Sequence, residues 1–244
     1  MVASNRDIRD EIKEYWSDRA ATFDQDPGHR IQDGPEMRAW RGLFTRHLGP
    51  AQGRRLLDLA SGTGEIARLC CDMGFNVTGL DWAEPMLALA RTKLPDVTFI
   101  QADAERTMLP TASFDVIVTR HLIWTLVDPA AAFTEWHRLL VPGGQLVVVD
   151  GDFVSRNWWT RWLSPAKAPT PSTMRHQSIL RRVHFSDGAR SDAVADLIRD
   201  AGFEKIEIDT NLSAIHLAQA RQLGWRKALL RQSEHRYAIA ARKP

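Results

Sequence analysis

At 244 residues, of which 44% are hydrophobic and 25% charged, the chain can bury one sizeable core, and its alternation of helix-like and strand-like segments favours one domain with additions over two equal domains. A formal net charge of +2 gives no global electrostatic case for nucleic acid; Arg175, Arg181 and Arg182 make only a local basic cluster. The two cysteines, Cys70 and Cys71, are adjacent and cannot form an ordinary structural disulfide with each other, and neither a signal-type apolar N-terminus nor a bilayer-length apolar run is present, which predicts a soluble protein of the reducing cytoplasm with no membrane partner.

In NRDIRDEIKEYWSDRAATFD, Ile8, Ile12, Tyr15, Trp16, Ala20 and Phe23 recur at approximately helical spacing with charges between them, which predicts an amphipathic helix lying on the domain. A loop-like DQDPGHRIQDG precedes a second helix from about Pro35 to Leu48. RRLLDLA is short and apolar enough to be a buried strand, and EIARLCCDMG reads as a helix ended by Gly74. The apolar runs FNVTGLD and VTFIQAD predict two further strands that end in Asp81 and Asp103.

FDVIVTRHLIWTL predicts a buried strand running into Arg120 and His121, followed by a helix from about Pro129 to Leu140, the turn VPGG and a strand GQLVVVDGDF. Residues 153–190 break this rhythm, with Trp158, Trp159 and Trp162 interleaved by Arg156 and Arg161. Regular structure returns as a helix from about Ser191 to Ala201, a strand FEKIEID, an apolar helical stretch from about Ser213 to Leu230 and a final strand HRYAIAAR. The alternation predicts a parallel sheet with helices on both faces and a ligand at the carboxyl ends of the strands.

DLASGTGEIA, from Asp58 to Ala67, joins the first strand to its helix and is the most informative segment. Gly62 and Gly64 lack a Cβ, so the backbone can turn tightly and a ligand can approach the N–H groups at the helix N-terminus. Asp81, at a strand's carboxyl edge, can accept both hydroxyl protons of a ribose. The same segment satisfies GxGxxA, so a nicotinamide dinucleotide is the competing guest. Asp58 tips the balance and makes a dinucleotide the poorer guest, because a carboxylate there repels a pyrophosphate and attracts the α-ammonium of an amino-acid ligand.

On these residues the chain resembles the class I S-adenosylmethionine-dependent methyltransferases, in particular the small-molecule group with a DLxxGTG motif, over roughly residues 40–152. The resemblance implies a Rossmann-like, doubly wound, mostly parallel seven-stranded sheet with the last strand antiparallel, a helical N-terminal cap and an insertion after the fifth strand. Its implied parts are a cap over 1–50, a cofactor core over 51–152, a substrate lid over 153–190 and a helix-strand completion over 191–244. The cofactor is S-adenosyl-L-methionine, leaving as S-adenosyl-L-homocysteine. Asp58 takes the methionine end, Gly62 and Gly64 the close approach, Asp81 the ribose, and Trp82 lies beside the adenine. Asp103 meets the adenine amino group, with Ala104 and Glu105 lining that pocket; Ala60, Met86 and Arg120 complete the contacts.

The segment YWSDRAATFD resembles a YWDxxAxxYD motif of the same proteins, with Phe23 where a tyrosine is usual. Tyr15, Trp16 and His29 are expected on the substrate side, with Trp124 as a wall of the methyl pocket that attracts a cation. Trp158 and Trp159 are expected in a lid over an aromatic or cationic acceptor; a membrane-interface role and plain packing stay open for them. His121, after the fourth strand, is the candidate general base. The [DN]PP[YFW] motif of base-amino methyltransferases is replaced by RHLIW, which argues against a nucleic-acid substrate. The histidines lack zinc spacing, so no metal is expected. The expected function is transfer of a methyl group to an N, O or S nucleophile of a small molecule. A nicotinamide-dependent oxidoreductase and a non-catalytic S-adenosylmethionine-binding module are the alternatives, and the acceptor and oligomeric state stay open.

Overall fold

Short apolar runs that alternate with amphipathic helices leave the sheet little choice but to be covered on both sides. The computed structural model describes residues 7–26, 28–152, 171–221 and 235–244. Trp158, Trp159 and Trp162 lie outside the described residues, as does the predicted helical stretch beyond Arg221.

Helix α1 (Ile8–Phe23) is capped by Asp7, whose side chain accepts from the Arg9 N–H, and α2 (Pro35–Leu48) opens on a proline that suits the first helical turn. Strands β1 (Arg55–Leu59), β2 (Asn76–Asp81) and β3 (Thr98–Gln101) are separated by α3 (Glu65–Asp72) and α4 (Glu84–Lys93). β4 (Phe114–Arg120) leads through a 3-10 turn at Ile123–Thr125 into α5 (Pro129–Leu139) and β5 (Leu140–Asp152). There follow α6 (Pro171–Leu180), α7 (Ser191–Asp200), β6 (Glu204–Asp209), α8 (Ser213–Ala220) and β7 (His235–Arg242).

Among the described residues these strands form one seven-stranded sheet in the order β3-β2-β1-β4-β5-β7-β6. β7 runs antiparallel to β5 and β6, and the other pairings are parallel. The expected fold is therefore the observed one. The strand order reverses between β1 and β4, and such a reversal opens a crevice at the carboxyl ends of the strands.

Successive strand residues face opposite ways, so each central strand feeds two cores. Leu56, Val116, Val118 and Val147 pack with Trp40, Phe44 and Leu69 on one face. Leu57, Leu59, Ile117 and Val148 pack with Phe133, Trp136 and Ile198 on the other. Two smaller clusters dock α1: Ile12 and Tyr15 against Ile179 and Val183, and Ala20 against Ala83 and Met86.

The VPGG turn is absorbed into β5 as an irregularity. Phe114 pairs with Leu140 and Val116 with Gln145, so Val141–Gly144 loop out of register. Gly143 N–H donates to the Lys243 carbonyl and Lys243 N–H to the Gly144 carbonyl, so the end of the chain satisfies the displaced backbone.

Candidate active site

Asp58 sits near the carboxyl end of β1, between Gly79 of β2 and Val118 of β4. Its side chain is buried, and Oδ2 has no hydrogen-bond partner. Burial pushes its pKa up to about 8, while the Arg120 guanidinium pulls the other way. A buried, unsatisfied carboxylate oxygen beside a cavity is the kind of group a ligand ammonium satisfies.

Asp81 closes β2 and is held by the loops it serves. Its Oδ2 accepts from the Gly62 N–H and its Oδ1 from the Ala83 N–H, both at 2.8 Å. Burial still raises its pKa against those bonds. Each oxygen keeps a lone pair, which leaves the carboxylate able to accept from a diol.

Gly62 has φ +53, the left-handed region that favours glycine, and the Phe23 ring of the cap would be in ordinary contact with a Cβ there, at 3.7 Å. Gly64 is different. With φ +86, its Cβ would lie 3.3 Å from Ala90 Cβ and from Leu94 Cδ1, so this glycine serves the packing of the loop against α4 and does not line the cavity.

Beyond β3, Asp103 Oδ1 accepts from the Glu105 N–H at 2.9 Å, and Oδ2 lies 3.4 Å from the Arg9 guanidinium. Glu105 is buried and its carboxylate is fully engaged by protein: the Val127 N–H at 2.6 Å, the Asp128 N–H at 3.2 Å and Arg9 at 2.6 Å. It therefore ties α1 and the loop after the 3-10 turn to the pocket floor. Trp136 Nε1–H donates to the Ala104 carbonyl at 2.8 Å, fixing the neighbouring backbone.

The cap is latched at the other end as well. Asp24, just past α1, accepts from Thr63 Oγ1 at 2.5 Å and pairs with Lys93 at 2.6 Å; Lys93 also pairs with Glu65 at 2.9 Å. Arg120 donates to the His29 carbonyl at 2.6 Å and the Gly28 carbonyl at 3.3 Å, with its guanidinium 5.3 Å from the centre of the Trp40 ring. Its described contacts thus anchor the cap loop beside Asp58.

Opposite the acids stands an aromatic wall. Trp16 meets Phe23 and Trp124 edge-on at centroid distances of 6.0 and 6.1 Å, and Trp124 meets His176 edge-on at 5.2 Å. Tyr15 stacks on His176 at 5.2 Å. His176 Nε2 is buried without a partner, and burial lowers the pKa of the ring.

Both ends open into one cavity of about 370 Å³, a size suited to a small ligand. It is lined on the acidic side by Asp58, Ala60, Gly62, Asp81, Asp103 and Ala104, with Trp82, Met86 and Glu105 beside them. Arg120, His121 and His29 lie along it, and Trp16, Phe23, Trp124 and His176 form its aromatic side. Ala60 and His121 have φ +54 and +63, the left-handed region that non-glycine residues rarely adopt, each at the end of a strand facing the crevice.

Of the predicted site residues, Gly64 and Tyr15 stand outside the cavity lining, Tyr15 in the seam between α1 and α6. Trp158 and Trp159 fall outside the described residues. The sequence offered no role for Arg9 and left His176 only as a histidine of the insertion free to point inward, since the placement of both depends on helix docking. Among the described residues no group of three His, Cys, Asp or Glu is placed to hold a metal ion.

Comparison with known proteins bears on this crevice directly. A family model described as a methyltransferase domain matches residues 57–148. A demethylmenaquinone methyltransferase of Renibacterium salmoninarum is 30% identical over 224 residues, covering 86% of this chain and 92% of that protein. One of Paenarthrobacter aurescens is 27% identical over 221 residues, with 86% of each chain covered.

Among solved structures, Haemonchus contortus phosphoethanolamine N-methyltransferase 2 in complex with S-adenosyl-L-methionine superposes with a TM-score of 0.71 at 18% identity, covering 99% of this chain and 61% of that one. Geranyl diphosphate C-methyltransferase from Streptomyces coelicolor A3(2), with Mg²⁺, geranyl diphosphate and S-adenosyl-L-homocysteine, gives 0.61 at 14% identity, covering 94% and 98%. These two likenesses show the fold. Relatedness over 86% of the chain, together with the methyltransferase-domain match, makes this chain a member of the class I S-adenosylmethionine-dependent methyltransferases of small-molecule type.

Proposed function

We propose that the enzyme methylates a nucleophilic N, O, S or ring-carbon atom of a flat, apolar small molecule held against Trp16 and Trp124. One observation carries this reading: a single cavity with carboxylates at the strand ends on one side and an aromatic wall on the other. Asp58 receives the cofactor's ammonium, Asp81 its ribose diol, and Asp103 with Ala104 its adenine, while Trp82 and Met86 flank the nucleoside. When bound, S-adenosylmethionine supplies a methyl group on a sulfonium, whose charge already activates the leaving group.

What the chain adds is alignment and exclusion of water, and well-oriented reactions reach effective molarities of about 10⁵–10⁸ M. A base is needed only where the acceptor arrives protonated. His121 and His29 are the two imidazoles placed beside the cofactor end. The relatives' named acceptor, demethylmenaquinone, is a naphthoquinone, and so has the flat apolar form the wall suits.

In this reading residues 1–50 form the cap, 51–152 the cofactor core and 153–190 a substrate lid, with 191–244 as the helix-strand completion of the fold. The enzyme works in the cytoplasm without a nucleic-acid partner; no helix among the described residues is long and apolar enough to cross a membrane. Calorimetry with S-adenosylmethionine, S-adenosylhomocysteine and NAD is the first test. Micromolar binding of the first two without NAD, followed by transfer of labelled methyl to reduced demethylmenaquinone, is the expected result. Binding of NAD alone would overturn the cofactor site, and cofactor binding without transfer to that acceptor would overturn its identity.

A further inference from the structure

One imidazole in the cavity has its tautomer dictated by the backbone. His29 Nδ1 lies 3.0 Å from the Phe23 carbonyl oxygen. A carbonyl can only accept, so the proton sits on Nδ1 and Nε2 presents a lone pair. The ring stacks on Phe23 with centroids 4.0 Å apart and 18° between planes, which sets its rotation too. Phe23 covers Gly62, and Arg120 grips the His29 carbonyl at 2.6 Å, so the imidazole is carried by the parts that close over the glycine loop. No described residue donates to Nε2, and 26% of the side chain is open where the residue lines the cavity.

We propose that His29 Nε2 takes the proton from the acceptor, and that the acceptor is a neutral aromatic molecule bearing an ionisable hydroxyl. The inference rests on reading the aromatic side of the cavity as the acceptor site. Burial first, and then the positive charges of Arg120 and Arg19, hold the ring neutral, against the Phe23 carbonyl and the Asp26 carboxylate 4.0 Å from Nδ1. Arg19 is paired with Asp26 and stands outside the cavity lining, so Arg120, which lines it, is the guanidinium that opposes an ammonium acceptor and favours the oxyanion left when a hydroxyl ionises. In the step, the O–H bond breaks and its electron pair stays on the acceptor, where it activates the oxygen or, in a hydroquinone, the ring carbon that takes the methyl and then loses its own hydrogen as a proton to solvent. The proton forms an N–H bond at Nε2, giving an imidazolium that returns the proton to solvent after turnover. His121 shares the cavity.

The test uses the full-length enzyme with saturating S-adenosylhomocysteine and nitrogen-labelled histidine. NMR is expected to show one imidazole, absent from His29→Gln, that is the neutral Nδ1–H tautomer at pH 7 and titrates below the usual histidine range. A proton on Nε2, or an imidazolium at pH 7, overturns the proposal whatever the acceptor is.

Turnover with reduced demethylmenaquinone supplies the second arm. His29→Gln and His29→Asn should each lower kcat by about 10²- to 10⁴-fold with S-adenosylhomocysteine affinity within about twofold of wild type, the loss shrinking as pH rises and the acceptor ionises unaided. Asn keeps a donor for the Phe23 carbonyl but no base, so a purely structural His29 predicts that His29→Asn retains activity, and that result overturns the proposal. Retained activity in both variants alongside a collapse in His121→Gln would move the proton to His121. Failure of cofactor binding or of wild-type transfer would instead count against the underlying function.

Discussion

The acidic end and the aromatic end of the cavity are built by different means. Asp58 and Asp81 stand at the carboxyl ends of neighbouring parallel strands, where backbone pairing sets their separation. Asp103 follows β3, with Ala102 N–H bonded to the Asp81 carbonyl. The aromatic end comes from α1, the 3-10 turn after β4 and α6, joined by side-chain packing and by surface ion pairs of Arg175 with Glu14 and Asp18 rather than by strand pairing. A sheet edge is hard to deform, whereas helices docked through a few rings can be exchanged without disturbing it. On the proposed reading, recognition of the methyl donor sits on the rigid part, and recognition of the acceptor on the replaceable one.

The sharpest way to break this contrast is Asp81→Ala. It removes the partner of the Gly62 and Ala83 N–H groups as well as the diol acceptor, and should weaken S-adenosylmethionine binding by about 100-fold or more, on the order of 3 kcal/mol for charge-assisted bonds. Unchanged affinity in calorimetry would remove Asp81 from the site.

Asp58 sharpens the comparison through pH. Without ligand its pKa is about 8, so it is protonated at pH 6–7 and must ionise to meet an ammonium. Binding should then release a proton, visible as a dependence of calorimetric heat on the buffer, and affinity should climb by up to about tenfold per pH unit towards pH 8. Asp58→Asn should flatten that slope. The sign reverses for the free protein: the folded state holds a proton that the unfolded chain loses above its ordinary carboxylate range, so this group's contribution to stability falls as pH rises from about 4 to about 8. Thermal melts of wild type and Asp58→Asn across that window would show whether it does.

On the aromatic side, Trp124→Ala should raise the acceptor KM by roughly 5- to 30-fold, about 1–2 kcal/mol of ring contact, and leave S-adenosylmethionine affinity alone. A parallel loss of cofactor affinity would show that the two ends are not separable. The smallest expected change in the site is Gly64→Ala. A left-handed alanine pressed against α4 should cost about 1–2 kcal/mol of stability and lower Tm by a few degrees, with cofactor affinity unchanged in the folded enzyme.

The acidic end was legible because its signals are local. A strand-length apolar run, a glycine loop and a helix start lie within a few residues of one another, and parallel sheets bind ligands at strand carboxyl ends. Asp58, Gly62, Asp81 and Asp103 follow from that alone. Gly64 illustrates the limit: its presence in the motif was visible, but whether it faced a ligand or Ala90 depended on how α4 packs.

The aromatic side lay beyond such reasoning. Helical spacing placed Tyr15 and Trp16 on α1, but only docking against α6 turned Tyr15 into the seam and left Trp16 on the cavity. The same docking brought His176 to Trp124, and the placement of α1 against α4 and α6 joined Arg9 to Glu105 in the loop after β3. Chain order and side-chain period were enough to determine the sheet, its carboxyl-end crevice and the carboxylates that mark it, because those depend on neighbours in sequence and on backbone pairing. Which rings face the acceptor, which nitrogen of His29 carries the proton and which acids are already engaged were decided by tertiary contact, since each turns on a partner that the chain supplies only after it has folded.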